Sequence, residues 1–527
     1  MKKYIALIII TLTVAGSSCK KDFLDLTNNP NVPSVAAPNL LLSGALKTTA
    51  DIVNGSDYVQ YAAWVGYLSQ STSFQPFVTL EQYQFTQSNY GAIWNDNYAN
   101  LSNYAALEQA NASPNYTAIA EIMSVYDYEA LVDSYNNVPY TNALKGANNL
   151  NPSYDSGRSI YLDLMKRLDG AIVDIQKASA SAANPLAADI MFGGNMTNWV
   201  LFANTLKLRL CLRESTNPSL ATDFATLSAA VKATESLGYL GAVAATVNPG
   251  YLNSDANGGQ ESPLWRYYGF NQNNAQQGGR AQYQANSFAA NFFGSNNDPR
   301  LVEVYSPTTT PGAANTSNLS PNTAINSQNG QAIVSSTFGS STPPSGTING
   351  ANVPNINPSV VGPGILTGPT MNAVIMSAPE AYFLQAEGTA RGILSLEGTA
   401  ATLYNQGIAA SFAFDHVPSA ATAAATYSAQ AGIAYPVGGT LAQQVQAIIT
   451  QKWAALDVFG ALEAFNEERR TGYPVVPLSI YPSANAPNQV SRIFYPFVEY
   501  QTNAGAVAAQ GTIDKFSSLI FWAQIVQ

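Results

Sequence analysis

Two stretches of the sequence combine aromatic rings with side-chain amides, a combination suited to binding neutral sugars. The stretch between residues 64 and 96 supplies the candidate ligand-binding residues Phe74, Phe77 and Trp94. In the second stretch, residues 265–277, the candidates are Trp265, Tyr267, Tyr268, Phe270 and Asn271. Rings can stack on the C–H face of a sugar while amides read its hydroxyl groups, as in apolar pockets with a few placed polar groups.

The second stretch is the stronger candidate. Its four aromatic residues fall within six positions amid Asn and Gly, too crowded for one helix side to bury them all. Trp64 and Tyr67 have helical spacing and are expected in the core. Phe74 and Phe77 flank Pro76 outside that pattern, so we expect them at the surface.

A search for catalytic patterns favours a protein that is not an enzyme and needs no cofactor. The one histidine, His416, follows Asp415 directly, whereas a catalytic histidine is usually oriented by a carboxylate from elsewhere in the chain. No G-x-S-x-G or phosphate-binding loop occurs. Paired carboxylates distant in sequence would still permit a surface glycoside hydrolase, the less favoured alternative.

No metal site is expected. The segment Asn253–Gly258 resembles the start of a calcium loop, but Leu264 occupies the twelfth position, where a bidentate Glu belongs. A turn rich in Asn and Gly is the better interpretation.

The first nineteen residues predict a lipid anchor. Residues 1–18 have a basic start, a short apolar run and small residues, as in a signal peptide, and Cys19 follows. This order predicts cleavage before Cys19 and acylation of its sulfur, which attaches the chain to membrane lipid. Residues 19–38, rich in Asn, Thr and Pro, are interpreted as an extended tether.

The overall composition argues against nucleic acid as a partner. The net charge is −10, and no basic cluster occurs in the 527 residues. Only 11% of the residues are charged, so Asn, Gln, Ser, Thr and the 29 Tyr must supply most of the polar surface. With Cys19 acylated, Cys211 is left as a buried, inert thiol.

Apolar periodicity predicts a mainly helical chain. A helix is expected at residues 161–177, another around residues 199–210, and a helical hairpin at residues 379–412 that is broken by Gly398. A long stripe of apolar residues at helical spacing begins after a capping box formed by Thr440 and Gln443 and runs on toward residue 470. Gly472 and Pro474 are expected to end the helix there.

Residues 39–527 are predicted to form a single domain with a loop-rich insertion at about 303–379. No residue between Glu303 and Glu380 is charged, and short strands are expected near residues 331–336. Such a long neutral excursion is either one wall of a ligand site or a poorly ordered surface loop.

Motifs in consistent order along nearly the whole chain resemble those of the SusD/RagB lipoprotein family. They are Cys19–Leu24, Leu131–Leu144, Pro152–Asp155, Phe192–Gly194, Trp199–Leu210, Asp298–Leu301, Lys452–Leu456, Arg469–Pro474 and Arg492–Glu499. The sequence departs from the family pattern after Trp522, where an acidic residue is more usual.

The resemblance implies a tetratricopeptide-like helical scaffold with long loops and a few short strands. It also implies an outer-membrane lipoprotein facing the cell exterior that binds a polysaccharide or oligosaccharide. The implied partner is a TonB-dependent, SusC-like transporter, over which the protein acts as a lid. Capture of peptides by the same fold is the alternative. The shared motifs are interpreted as fold residues, with Arg469 and Arg470 tying helices together.

Overall fold

The computed structural model describes residues 36–74, 79–306, 319–320, 333, 335–341, 346–348, 351–353 and 359–524. The predicted signal peptide, Cys19, most of the tether and Phe77 lie outside these residues. Within them, no helix is both long enough and apolar enough to cross a membrane.

The first half of the chain is dominated by long helices that pack against their neighbours in sequence. The long helices are α1 Pro38–Asn54, α3 Ala92–Ala110, α4 Pro114–Tyr135, α5 Gly157–Lys177, α6 Met196–Glu214 and α7 Ala221–Thr234, and the short helix α2 Val59–Trp64 follows α1. The helix predicted at residues 161–177 is confirmed as α5, which begins earlier because Ser156 caps it by accepting a hydrogen bond from the Ser159 N–H.

The second half contains shorter helices followed by a second group of packed ones. The former are α8 Pro263–Tyr268, α9 Gly278–Gln282, α10 Ser287–Ser295 and α11 Leu301–Val304. The latter are α12 Ala378–Ala390, α13 Ala400–Phe414, α14 Ala420–Ser428, α15 Leu441–Leu456, α16 Ala461–Thr471, α17 Phe497–Thr502 and α18 Ala504–Ala508. The predicted helical hairpin is confirmed as α12 and α13.

The described strands are short and form two- or three-stranded antiparallel sheets. They are β1 Leu68–Gln70, β2 Val138–Pro139, β3 Tyr154–Asp155, β4 Ala245–Val247, β5 Tyr283–Ala285, β6 Leu319–Ser320, β7 Gly346–Ile348, β8 Ala351–Val353 and β9 Ala373–Met376. The mainly helical fold class is therefore confirmed. In the segment expected to hold strands near residues 331–336, Ser336 makes a single bridge to Asn286.

The stripe that begins at Thr440 forms two helices, not one continuous helix. The capping box of Thr440 and Gln443 is present as predicted, but α15 ends at Leu456. The next residue, Asp457, has a φ of 45° and turns the chain into α16. Gly472 ends α16 in the left-handed conformation, in agreement with the predicted stop.

Buried ion pairs join five helices in the core. The Arg209 Nε and Nη2 groups of α6 donate to the two carboxylate oxygens of Glu129 in α4, at 2.9 and 2.6 Å. In α16, the Arg470 guanidinium donates to both oxygens of Glu387 in α12, at 2.8 and 2.7 Å. The Lys452 Nζ of α15 donates to Glu463 at 2.6 Å. The Arg469 Nη2 group donates to the Asp133 carbonyl of α4 at 2.7 Å. These contacts confirm that both arginines near the end of α16 tie helices together.

The buried carboxyl of Asp127 should make stability depend on pH. Burial raises its pKa to about 8, although Asn100 and Thr49 donate hydrogen bonds to it. The pKa in the unfolded chain is about 3.9, so the folded state binds more protons between these values. The contribution of Asp127 to the free energy of unfolding is therefore complete below about pH 4 and is lost as the pH rises toward 8.

We expect Asp127→Asn, which cannot ionise, to make that decline shallower by up to about 1.4 kcal/mol per pH unit. Urea unfolding of both proteins at several pH values between 4.5 and 8 would measure the two slopes. Parallel slopes would mean that Asp127 does not titrate in this window.

Candidate functional site

The β1–β5 ribbon pairs the chain segments that adjoin the two predicted aromatic stretches. Leu68 pairs with Ala285 and Gln70 with Tyr283. Beyond that second pair, the Ser71 N–H donates to the Gln282 carbonyl at 2.8 Å. Phe74, 45% exposed, therefore follows β1 at the ribbon end where the stretch 265–277, here named the aromatic turn, leads into β5.

The aromatic turn is held by its own side chains. The Trp265 Nε1 group donates to the Phe270 carbonyl at 2.8 Å. The Oδ1 atom of Asn271 accepts from the N–H groups of Asn273 and Ala275 at 3.0 and 2.9 Å. Trp265 and Asn271 thus shape the turn, which limits what the Asn271 side chain can offer a ligand.

Two half-buried rings of the aromatic turn, Phe270 and Tyr267, have neighbours on at least one face. The Arg280 guanidinium lies 4.5 Å from the centroid of the Phe270 ring. The Tyr267 ring lies over Gly279, where an added Cβ would come within 2.8 Å of it. Glycine at 279 is therefore required by the close approach of the ring.

Two predicted ligand-binding residues are buried, which corrects the sequence interpretation. Trp94 is 4% exposed and packs against the rings of Tyr98, Tyr135, Tyr154 and Tyr495. Tyr268 is 2% exposed. Neither ring can offer a face to a ligand, so both leave the candidate site. Phe74, Trp265, Tyr267 and Phe270 remain in it.

The segment that resembles a calcium loop is a turn beside the aromatic turn. The Asp255 Oδ1 atom accepts from the Gln272 N–H at 3.5 Å, a long contact. Asn257 has a φ of 55°, as expected in a turn rich in Asn and Gly. Over the described ranges, no group of three or more His, Cys, Asp or Glu residues is placed to hold a metal ion.

The other groups with possible chemistry lie apart from the aromatic turn in the sequence. His416 is exposed, whereas Asp415 is fully buried and accepts from the Ser411 hydroxyl at 3.0 Å. Cys211 is buried with its Sγ atom 3.4 Å from the Ser228 hydroxyl, and burial raises the pKa of the thiol to about 12. A thiol with so high a pKa is unreactive at neutral pH, as predicted for Cys211.

Known structures share this fold over nearly the whole chain. An outer membrane protein from Bacteroides vulgatus ATCC 8482 is 22% identical, with a TM-score of 0.71 over 93% of this chain and 100% of the other. A SusD homolog from Bacteroides uniformis ATCC 8492 is 22% identical, with a TM-score of 0.70 over 92% and 99%. A chitin-binding SusD homolog from Flavobacterium johnsoniae is 23% identical, with a TM-score of 0.67 over 91% and 98%.

The family model gives the assignment. No curated protein sequence is similar enough to count as a match. The model of SusD-like proteins, described as starch-binding and associating with the outer membrane, matches residues 30–496. Because this match spans most of the 527 residues, the chain belongs to the SusD-like family.

Proposed function

We propose that the protein binds a polysaccharide or oligosaccharide nutrient at the cell surface and delivers it to a TonB-dependent, SusC-like transporter. In this proposal Cys19 carries the lipid anchor in the outer membrane, and the protein faces the exterior. The protein hands its ligand on without cleaving it. Two similar solved proteins, each 23% identical to this chain, are named as chitin-binding, which supports a glycan as the ligand.

The observation that carries the proposal is the set of exposed and half-buried aromatic rings on the chain segments that adjoin the β1–β5 ribbon. Phe74 is a large apolar side chain left 45% exposed, and the half-buried rings of Trp265, Tyr267 and Phe270 belong to the turn that leads into β5. Single exposed apolar residues are common, but several aromatic rings among neutral amides are typical of a recognition surface.

Phe74→Ala is the direct test, because the Phe74 side chain has no hydrogen-bonding role in the fold. We expect the affinity for the bound glycan to fall about tenfold, which corresponds to about 1.4 kcal/mol. Trp265→Ala is less informative because it also removes the hydrogen bond to the Phe270 carbonyl. The measurement is titration calorimetry of the full-length protein in mild detergent, after a gel-retardation screen against plant, fungal and host polysaccharides and a peptide digest.

The matched control is Leu441→Ala, since Leu441 at the start of α15 is also 45% exposed. We expect this variant to bind like the unmodified protein. Binding of the peptide digest but of no glycan would replace the proposal with the peptide alternative. Release of shortened glycan products would contradict the absence of catalysis.

A further inference from the structure

A groove of about 720 Å³ lies at the opposite end of the ribbon from Phe74. Beyond the pair formed by Leu68 and Ala285, the chain enters α10, whose Phe288 and Phe292 line the groove. Phe338 and residues 476–478 line it as well. Its volume falls in the range of pockets that take small ligands, about 300–1,000 Å³.

The rings of Phe288 and Phe292 are pre-positioned. They are four residues apart in α10 and so lie on the same side of the helix. Both meet the buried Trp453 ring edge to face, with centroid distances of 5.3 and 5.2 Å. Both side chains are half-buried, so part of each ring is exposed while its contact with Trp453 fixes its orientation.

Gly66 allows the Phe288 ring to approach the backbone closely. A Cβ atom at residue 66 would lie 2.7 Å from the Phe288 Cδ1 atom and 3.1 Å from the Val476 Cγ1 atom. Gly66 also has a φ of 80°, which disfavours other residues. The Phe288 ring is therefore held between Gly66 and Trp453 before any ligand binds, so binding costs little entropy for ordering this ring.

The polarity of the groove selects its ligand. Every lining side chain that the structure describes is uncharged, so a carboxylated or phosphorylated ligand would find no counter-charge among them. Asn291, Ser295 and Thr337 are exposed at its rim and can bond to hydroxyl groups. A neutral sugar matches this arrangement, because it has an apolar C–H face for the rings and a hydroxyl edge for the rim.

We propose that this groove is a second carbohydrate subsite, which holds a neutral sugar unit against Phe292 with its hydroxyl groups toward Asn291. The choice of a sugar rests on the proposed function, whereas the position is independent of the aromatic turn. The three residues of β5 place the two ends of the ribbon about 10 Å apart, with the groove at one end and Phe74 beyond the other. The subsite includes Phe338 of the neutral segment, which makes this part of the segment a wall of the site.

The test uses Phe292→Ala and Asn291→Ala in the full-length protein in mild detergent. The probes are maltohexaose and chitohexaose, which are neutral, and an oligogalacturonate, which is charged. For a neutral oligosaccharide that binds the unmodified protein, we expect about tenfold weaker binding by Phe292→Ala and about fivefold weaker binding by Asn291→Ala. The oligogalacturonate should not compete. Asn291 is exposed, so its replacement should leave the thermal midpoint unchanged.

Phe74→Ala separates this proposal from the proposed function. If a neutral oligosaccharide binds, and Phe74→Ala weakens it while Phe292→Ala and Asn291→Ala do not, the subsite is wrong and the proposed function stands. Competition by the oligogalacturonate at the groove would also overturn the assignment to neutral sugars. If neither the neutral probes nor any polysaccharide of the screen binds, the proposed function fails and the subsite fails with it.

Discussion

Replacing Arg213 by methionine is expected to lower the free energy of unfolding by about 3–5 kcal/mol. The Arg213 side chain is 1% exposed and lies among four carboxylates, including that of Glu129, which is 3.9 Å from its Nη2 group. Its Nη2 group bonds to Glu463, its Nη1 group lies 3.3 Å from Glu467, and its Nε group lies 3.4 Å from Asp133. Methionine fills part of the volume but leaves these carboxylates without their shared cation.

The energetic reason is that burial is costly for a charge that has lost its partner. Burial alone would raise the pKa of Glu463, yet the Arg213 and Lys452 cations beside it lower that pKa well below the usual range. Without Arg213, Lys452 would be the one cation still paired with Glu463, whereas Glu467 would keep Lys452 and Arg470, within the part of the chain that the structure describes. Removing one partner of a buried ion pair is more damaging than the small net value of the intact pair suggests.

The matched control is Lys47→Met, because Lys47 also pairs with a carboxylate, Asp51, but Lys47 is 43% exposed and Asp51 is 30% exposed. Exposed pairs contribute about 0–1 kcal/mol, so this variant should unfold almost like the unmodified protein. Urea unfolding followed by far-UV circular dichroism measures both differences. Equal losses in the two variants would contradict the view that burial makes the Arg213 contacts essential.

The helices could be predicted from sequence because their signals are local. The apolar spacing that predicts α5 lies within one short segment of the sequence. The paired helices α12 and α13 follow each other directly in the sequence. The capping box at Thr440 and the stop at Gly472 are likewise defined by neighbouring residues. Such signals can be recognised without knowing what the helix packs against.

The break between α15 and α16 could not be predicted in the same way. It occurs at Asp457, a residue type that adopts positive φ less readily than glycine, while the apolar stripe continues through Phe459. Periodicity indicates which face is buried, but it does not show where tertiary packing turns the chain. The burial of Trp94 has the same origin, because its ring partners Tyr135, Tyr154 and Tyr495 come from distant segments.

The proposed second subsite was missed for a related reason. Its lining comes from α10, residues 337–338 and residues 476–478, which only the fold brings together. One local signal was available, since Phe288 and Phe292 lie one helical turn apart with Asn291 between them. In the sequence alone, that spacing is the ordinary pattern of a buried helix face. The structure shows that both rings are only half-buried, which leaves them available to a ligand.

Trp453→Ala is expected to lower the free energy of unfolding by about 3–5 kcal/mol, as is usual when a buried aromatic side chain is truncated. Trp453 is 1% exposed, and its Nε1 group donates to the Val65 carbonyl at 2.9 Å. Its ring contacts the rings of Tyr67, Phe288, Phe292 and Phe293. The truncation would therefore leave a cavity under the groove and an unpaired carbonyl at residue 65.

The control for this variant is Trp265→Ala, which removes a half-buried tryptophan with a single hydrogen bond to a carbonyl. We expect Trp265→Ala to lower the free energy of unfolding by about 1–2 kcal/mol in the same urea experiment. Because Trp453 orients Phe288 and Phe292, Trp453→Ala should weaken the binding of a neutral oligosaccharide as Phe292→Ala does. This effect is expected under conditions in which the variant is still folded. If it were destabilised but bound normally, Trp453 would support the core without shaping the groove.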